Sequence, residues 1–150
     1  MWRVNLLDMG LGVTEADVAG IPRGNLRVPR DEFVAVWKAA VQRGNEQGDR
    51  GITDWYAGGV AITCQWMATA TTRPARGPGG LTRSPATRRR RLAYEELIEE
   101  EFLAAELLDQ RRPDLLESRP GWCEAVRATL RWAWRQQGPP PIEVPTRAVG

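Results

Sequence analysis

The chain contains no histidine, a single lysine (Lys38) and two cysteines, Cys64 and Cys123. Without histidine, Ser-His-Asp and Cys-His catalytic arrangements are excluded within this chain. HExxH zinc sites, 2-His-1-carboxylate iron sites and the His-containing signature of zinc deaminases go with them. Two cysteines are too few for an all-cysteine zinc site or a four-cysteine iron–sulfur cluster. Lys38 lies among apolar residues, and no GxxxxGK[ST] surrounds it. It reads as a surface lysine with a buried stem, not as a Schiff-base or phosphate-binding group. No cofactor and no metal are expected, and the glutamate run Glu95 to Glu101 reads as a solvated helix face.

Charge-free runs are also scarce. The one long example is Trp55 to Thr72, which carries no charge over eighteen residues. That length raises the question of a membrane span. Gln65 and four threonines, with no Leu or Phe, point instead to a central buried helix and to no membrane association. Asp8 interrupts the N-terminal apolar residues before a signal-peptide core can form. The expectation is a cytoplasmic protein in which Cys64 and Cys123 are buried free thiols.

What is present fits one globular domain over residues 1–150. The length is about that of a single domain, with 42% hydrophobic and 27% charged residues and a net charge of +2. The fold class is all-α, with four main helices in one bundle-like domain. In the first helix, Asp31 to Arg43, Phe33, Val36, Trp37, Ala40 and Val41 fall on one apolar face, and Gly44 ends it. The second helix, Trp55 to Thr72, starts from Asp54 as N-cap, and Gly58-Gly59 allows another backbone to come close. In the third, Leu92 to Gln110, the apolar stripe runs through Tyr94, Leu97, Ile98, Phe102, Ala105 and Leu108. The fourth spans Gly121 to Gln137, with Trp122, Val126, Leu130, Ala133 and Trp134 on its apolar face. Trp37, Trp55, Trp66, Trp122 and Trp134 are expected in the core. Both termini are extended: Val4, Leu6 and Leu7 form a short piece against the core, and 139–150 form a Pro-rich tail. Thr14 starts a helix that Gly20 and Pro22 end within two turns.

Arginine is the dominant charged residue. Residues 73–91 carry seven arginines and no acid, broken by Pro74, Gly77, Pro78, Gly79, Gly80 and Pro85. They read as a long, flexible basic loop between the second and third helices. Four arginines in succession, Arg88 to Arg91, would wrap a helix nearly all round and oppose its dipole. Helix propensity therefore does not account for them. Arg127, Arg131 and Arg135 form a second stripe along the fourth helix. Trp132 lies beside them, either as an exposed interface residue or packed under the C-terminal tail.

The candidate partner-binding residues are thus Arg83, Arg88, Arg89, Arg90, Arg91, Arg127, Arg131, Trp132 and Arg135. Residues 95–124 hold ten acids against three arginines, so the basic segment can also neutralise itself, beginning with Arg91 and Glu95. The leading expectation is a non-enzymatic adaptor or small regulatory subunit that binds an acidic protein partner. The alternatives are a nucleic-acid-binding regulator using the same arginines, and an enzyme of unidentified chemistry. The acidic third helix beside the arginines would repel phosphate, which ranks protein above nucleic acid.

Overall fold

The computed structural model describes residues 11–72 and 79–144, and over them the chain is mostly helical. The pieces expected from Val4, Leu6 and Leu7 and from 145–150 lie outside the described residues. Helix α1 (Glu15–Ala19) opens with a reciprocal cap. Thr14 Oγ1 accepts from Asp17 N at 3.1 Å, and Asp17 Oδ2 accepts from Thr14 N at 3.0 Å. A single 3-10 turn, Arg23–Asn25, follows. Its buried Asn25 donates to Met67 O at 2.8 Å and Ala93 O at 3.1 Å, tying together three segments distant in sequence.

Helix α2 (Arg30–Asp49) does not stop at Gly44 as expected. Gly44 and Gly48 continue the helical three- and four-residue spacing of Phe33, Trp37 and Ala40 and are buried with them. Packing on that face outweighs the helix penalty of glycine, about 1 kcal/mol each. The helix ends where Gly51 takes φ +78°, open to a residue without Cβ.

Helix α3 (Trp55–Met67) starts as expected, with Asp54 Oδ1 accepting from Ala57 N at 3.0 Å. It ends five residues before Thr72. Thr69 turns left-handed at φ +58°, while Thr69 N donates to Trp66 O and Ala70 N to Gln65 O. These two bonds close a Schellman motif. Thr71–Thr72 (β1) then pairs antiparallel with Gly80–Leu81 (β2). Thr82, just beyond β2, donates to Ala70 O at 2.6 Å and accepts from Gln65 Nε2 at 3.1 Å.

Helix α4 (Glu95–Glu106) begins three residues later than its apolar pattern suggests. The carbonyls just before it are taken by tertiary bonds. Trp66 Nε1 donates to Arg91 O at 3.0 Å, and Asn25 holds Ala93 O. Tyr94 is consequently extended and 49% exposed, not a core residue. Two short helices, α5 (Leu108–Arg111) and α6 (Asp114–Ser118), lead to α7 (Trp122–Arg135).

Helix α3 is central, packed between α2 and α7, and α4 covers α7 from the far side. Trp37, Trp66, Phe33, Ile98, Val126 and Leu130 are fully buried in one hydrophobic cluster. Trp55 is only half-buried at the edge of that cluster. The close approach expected at Gly58-Gly59 occurs at Gly59. A Cβ there would lie 2.9 Å from Ala125 Cβ and 3.0 Å from Trp122 O. Among the described residues, no helix is long and apolar enough to cross a membrane.

Trp66 combines full burial with a hydrogen bond that fixes the entry to α4. Trp66→Ala is expected to cost about 3–5 kcal/mol in a urea series. A loss under about 1 kcal/mol would contradict the burial of Trp66.

Candidate anion-binding cleft

The arginines divide into two groups according to what faces them. Those of α7 are matched. Arg131 makes a two-pronged pair with Glu106, Nε to Oε1 at 2.6 Å and Nη2 to Oε2 at 2.5 Å. Arg127 reaches Asp109 at 3.4 Å, and Arg135 pairs with Glu99, whose other oxygen accepts from Trp134 Nε1 at 2.6 Å. Arg135 also lies over the Phe102 ring. The four-residue spacing on α7 thus meets acids on α4 and α5, and Arg127, Arg131 and Arg135 do not present an unmatched basic face. The Arg131 bond holds the Glu106 carboxyl below its ordinary range.

Trp132 is buried, at 4% exposure, so the exposed-interface reading is corrected. Its ring stacks on Phe33, with centroids 6.3 Å apart and planes 10° from parallel. In the C-terminal segment, Ile142 is buried in the same hydrophobic cluster, and Pro139, Pro140 and Ile142 border the same groove as Trp132. Tyr56 Oη donates to Pro141 O at 2.8 Å and fixes that segment from the other side.

Residues 79–91 contrast with the expected flexible loop, whose remaining part, 73–78, lies outside the described residues. They form a turn built around a buried carboxylate. Glu101, 4% exposed, accepts from Ala86 N at 2.8 Å, Thr87 N at 3.0 Å and Thr87 Oγ1 at 2.6 Å. Ser84 closes the turn. Its N donates to Arg89 O at 2.8 Å, and its hydroxyl accepts from Arg89 N at 2.9 Å. The acidic helix therefore does hold the basic segment, but through backbone amides and a hydroxyl rather than through guanidinium groups. The expected Arg91–Glu95 pair does not form, because Arg91 precedes the helix.

Arg83, Arg89, Arg90 and Arg91 are exposed, and none is paired with an acid of the described residues. Arg88 differs from them. Its backbone is left-handed at φ +61°, uncommon for a residue with a long side chain. Its guanidinium is half-buried, and Nη1 is buried without a hydrogen-bond partner among the described residues. Burial lowers the Arg88 pKa first, with repulsion from Arg119 and Arg83 adding to it and Glu101 opposing. Guanidinium is basic enough to stay charged throughout.

Arg119, between α6 and α7, lies over two indoles, 5.3 Å from the Trp55 centroid and 5.5 Å from that of Trp122. Arg88 approaches Trp122 at 6.0 Å. Between them is a half-open cavity of about 150 Å³ bordered also by Leu11, Gly58 and Ile62. Asp54 is on its wall but already occupied, capping α3 through Oδ1 and pairing with Arg43 through Oδ2 at 2.7 Å. A second cavity of about 310 Å³ shares Leu11, Ile62 and Arg88 and is edged by Arg83 and Arg90. The arrangement is a cationic edge over an apolar floor, which suits an anion carried on an apolar group.

Of the residues expected at a site, Arg83, Arg88 and Arg90 come together here. Arg89 and Arg91 are exposed nearby in sequence, while Arg127, Arg131, Arg135 and Trp132 are elsewhere. Arg119, Trp55 and Trp122 were not expected at a site. No family model, curated protein or solved structure matches the chain.

Two measurements separate the two acidic contacts. Glu101→Ala leaves the Ala86 and Thr87 amides without their acceptor. It should cost about 1–3 kcal/mol and accelerate hydrogen exchange at those two amides. Glu106→Gln removes a largely exposed pair and should cost about 0–1 kcal/mol. Because the folded Glu106 pKa is depressed, its contribution is present above the unfolded carboxylate pKa and lost as pH falls through the folded value. The stability gap between Glu106→Gln and wild type should therefore close in acid. A gap that widened on acidification would contradict the pairing.

Proposed function

We propose that the chain is a non-enzymatic interaction protein, an adaptor or small regulatory subunit, that binds an acidic segment of a protein partner at the Arg88–Arg119 cleft. The observation that carries this reading is the unpartnered, desolvated Nη1 of Arg88 beside a second guanidinium that no acid of the described residues pairs with. Desolvating a cation without an acceptor is unfavourable, and an incoming carboxylate would offset it. Exposed Arg83 and Arg90 extend the positive edge along the adjoining cavity. The buried free thiols, Cys64 and Cys123, fit a reducing cytoplasmic setting.

A protein partner is favoured over nucleic acid by the surroundings. Helix α4, whose Glu101 anchors the turn, also carries exposed Glu95, Glu96 and Glu100. An extended phosphate backbone lying along the arginines would meet those charges, whereas a short acidic segment need not.

Fluorescence anisotropy with a labelled Glu-rich peptide and with duplex DNA and RNA of similar charge, over a salt series, tests the reading. The peptide should bind. Arg88→Ala or Arg119→Ala should weaken binding roughly tenfold or more, the effect expected for a hydrogen bond to a charged group. Arg131→Ala should leave it unchanged. Tighter, steeply salt-dependent binding of DNA or RNA would overturn the proposal in favour of a nucleic-acid regulator.

A further inference from the structure

We infer, building on the acidic-partner reading, that the cleft receives the free C-terminal carboxylate of a partner chain whose last residue is apolar. Three features of the cavity point to this end group. Its lining is apolar at Trp55, Trp122, Ile62 and Leu11 and cationic at Arg88 and Arg119, and the carboxylate of Asp54 on its wall is taken up by Ala57 N and Arg43. Its volume, about 150 Å³, is that of a cavity able to take a ring the size of benzene. That is room for one side chain, and too little for a helix face. Thirdly, the two cations line the same small cavity as the indoles, so the anion and the apolar group must be close neighbours in the ligand.

A terminal residue meets that requirement on a single Cα, which bears both the carboxylate and the side chain. An internal Asp or Glu carries its carboxylate at the tip of its only side chain, leaving the indoles without an apolar partner. A phosphate supplies charge but nothing for the floor. Capture of a C-terminal carboxylate is an established mode of peptide recognition, achieved elsewhere with backbone amides. Here guanidinium groups supply the donors. Arg119 has its guanidinium placed over two rings, and no acceptor among the described residues takes its side-chain N–H groups. Arg88 is held in a left-handed backbone by the Ser84 and Glu101 bonds. The adjoining cavity, edged by Arg83 and Arg90, would take acidic residues upstream of the terminus.

The test uses the full chain and N-terminally labelled eight-residue peptides that share a Glu-rich body. One ends in Leu with a free carboxylate, one ends in Leu amide, and one ends in Gly with a free carboxylate. Amidation and the Leu-to-Gly change should each weaken binding roughly tenfold. Arg88→Lys, which keeps the charge but loses the planar fork, should reduce the preference for free acid over amide. Arg119→Gln, with folding checked by circular dichroism, should do the same if Arg88→Lys proves unstable. Equal binding of acid and amide would overturn the end-group inference and leave the acidic-partner reading standing. No binding of any of the peptides would overturn both. Tighter binding of phenylpropionate alone than of the Leu-ended peptide would overturn the inference in favour of a small amphipathic acid.

Discussion

Helix α7 approaches α3 so closely that a methyl group at Gly59 would sit 2.9 Å from Ala125 Cβ. That contact fixes where everything else on α7 lies. At its N-terminal end, Gly121 takes φ +90° with Tyr56 against it, and Trp122 comes to line the cavity with Trp55. Towards its C-terminal end, Trp132 lands on Phe33 of α2. The remaining side, carrying Arg127, Arg131 and Arg135, turns to α4 and α5 and meets their acids. A bulkier residue at position 59 would push the helices apart, displacing both the cleft and the ion pairs. The small residue is thus as much a condition of the site as the arginines are.

The distribution of acids settles which arginines have a use inside the fold. Of the acids on α4, Glu99 and Glu106 pair with arginines of α7, and Glu101 turns inward to the Ser84–Arg89 turn. Glu101 accepts from two amides and a hydroxyl and forms no ion pair with Arg88, which sits close enough to feel its charge. The buried acid therefore positions the cation without pairing with it. Had Glu101 paired with Arg88, the cleft would lose its unmatched donor.

Much of the helical frame was legible in the sequence, because apolar periodicity reports which face is buried. Phe33, Val36, Trp37, Ala40 and Val41 are buried as their spacing requires, as are Leu97, Ile98, Phe102 and Ala105. The ends were less legible because tertiary bonds set them. The start of α4 depends on Trp66 and Asn25 reaching Arg91 and Ala93, which no local pattern records. Glu101 did carry a signal. It falls four residues after Leu97 and three after Ile98, on the apolar stripe, where a carboxylate must find donors. The five other glutamates of α4 are at least partly exposed, and Glu101 alone is buried among them. Trp132 shows the reverse case: a residue off its helix's main apolar face is buried because Phe33 of α2 stacks on it.

Arg119 illustrates what sequence reading cannot supply alone. It lies in a Pro-bounded connector among acids, with nothing local to separate it from Arg111 or Arg112. Arg112 pairs with neighbouring Asp114 at 3.0 Å and is spent there. Arg119 instead reaches Trp55 and Trp122, which are 67 residues apart in the chain and meet only because α3 and α7 pack. Cation–π attraction needs an aromatic face and is strengthened by partial desolvation. The packing of the two helices provides both together, at the mouth of the cavity where Arg88 is also held. An anion site in this chain is therefore a product of helix packing, and the arginine-rich stretch contributes to it mainly the one residue whose backbone the buried glutamate has turned inward.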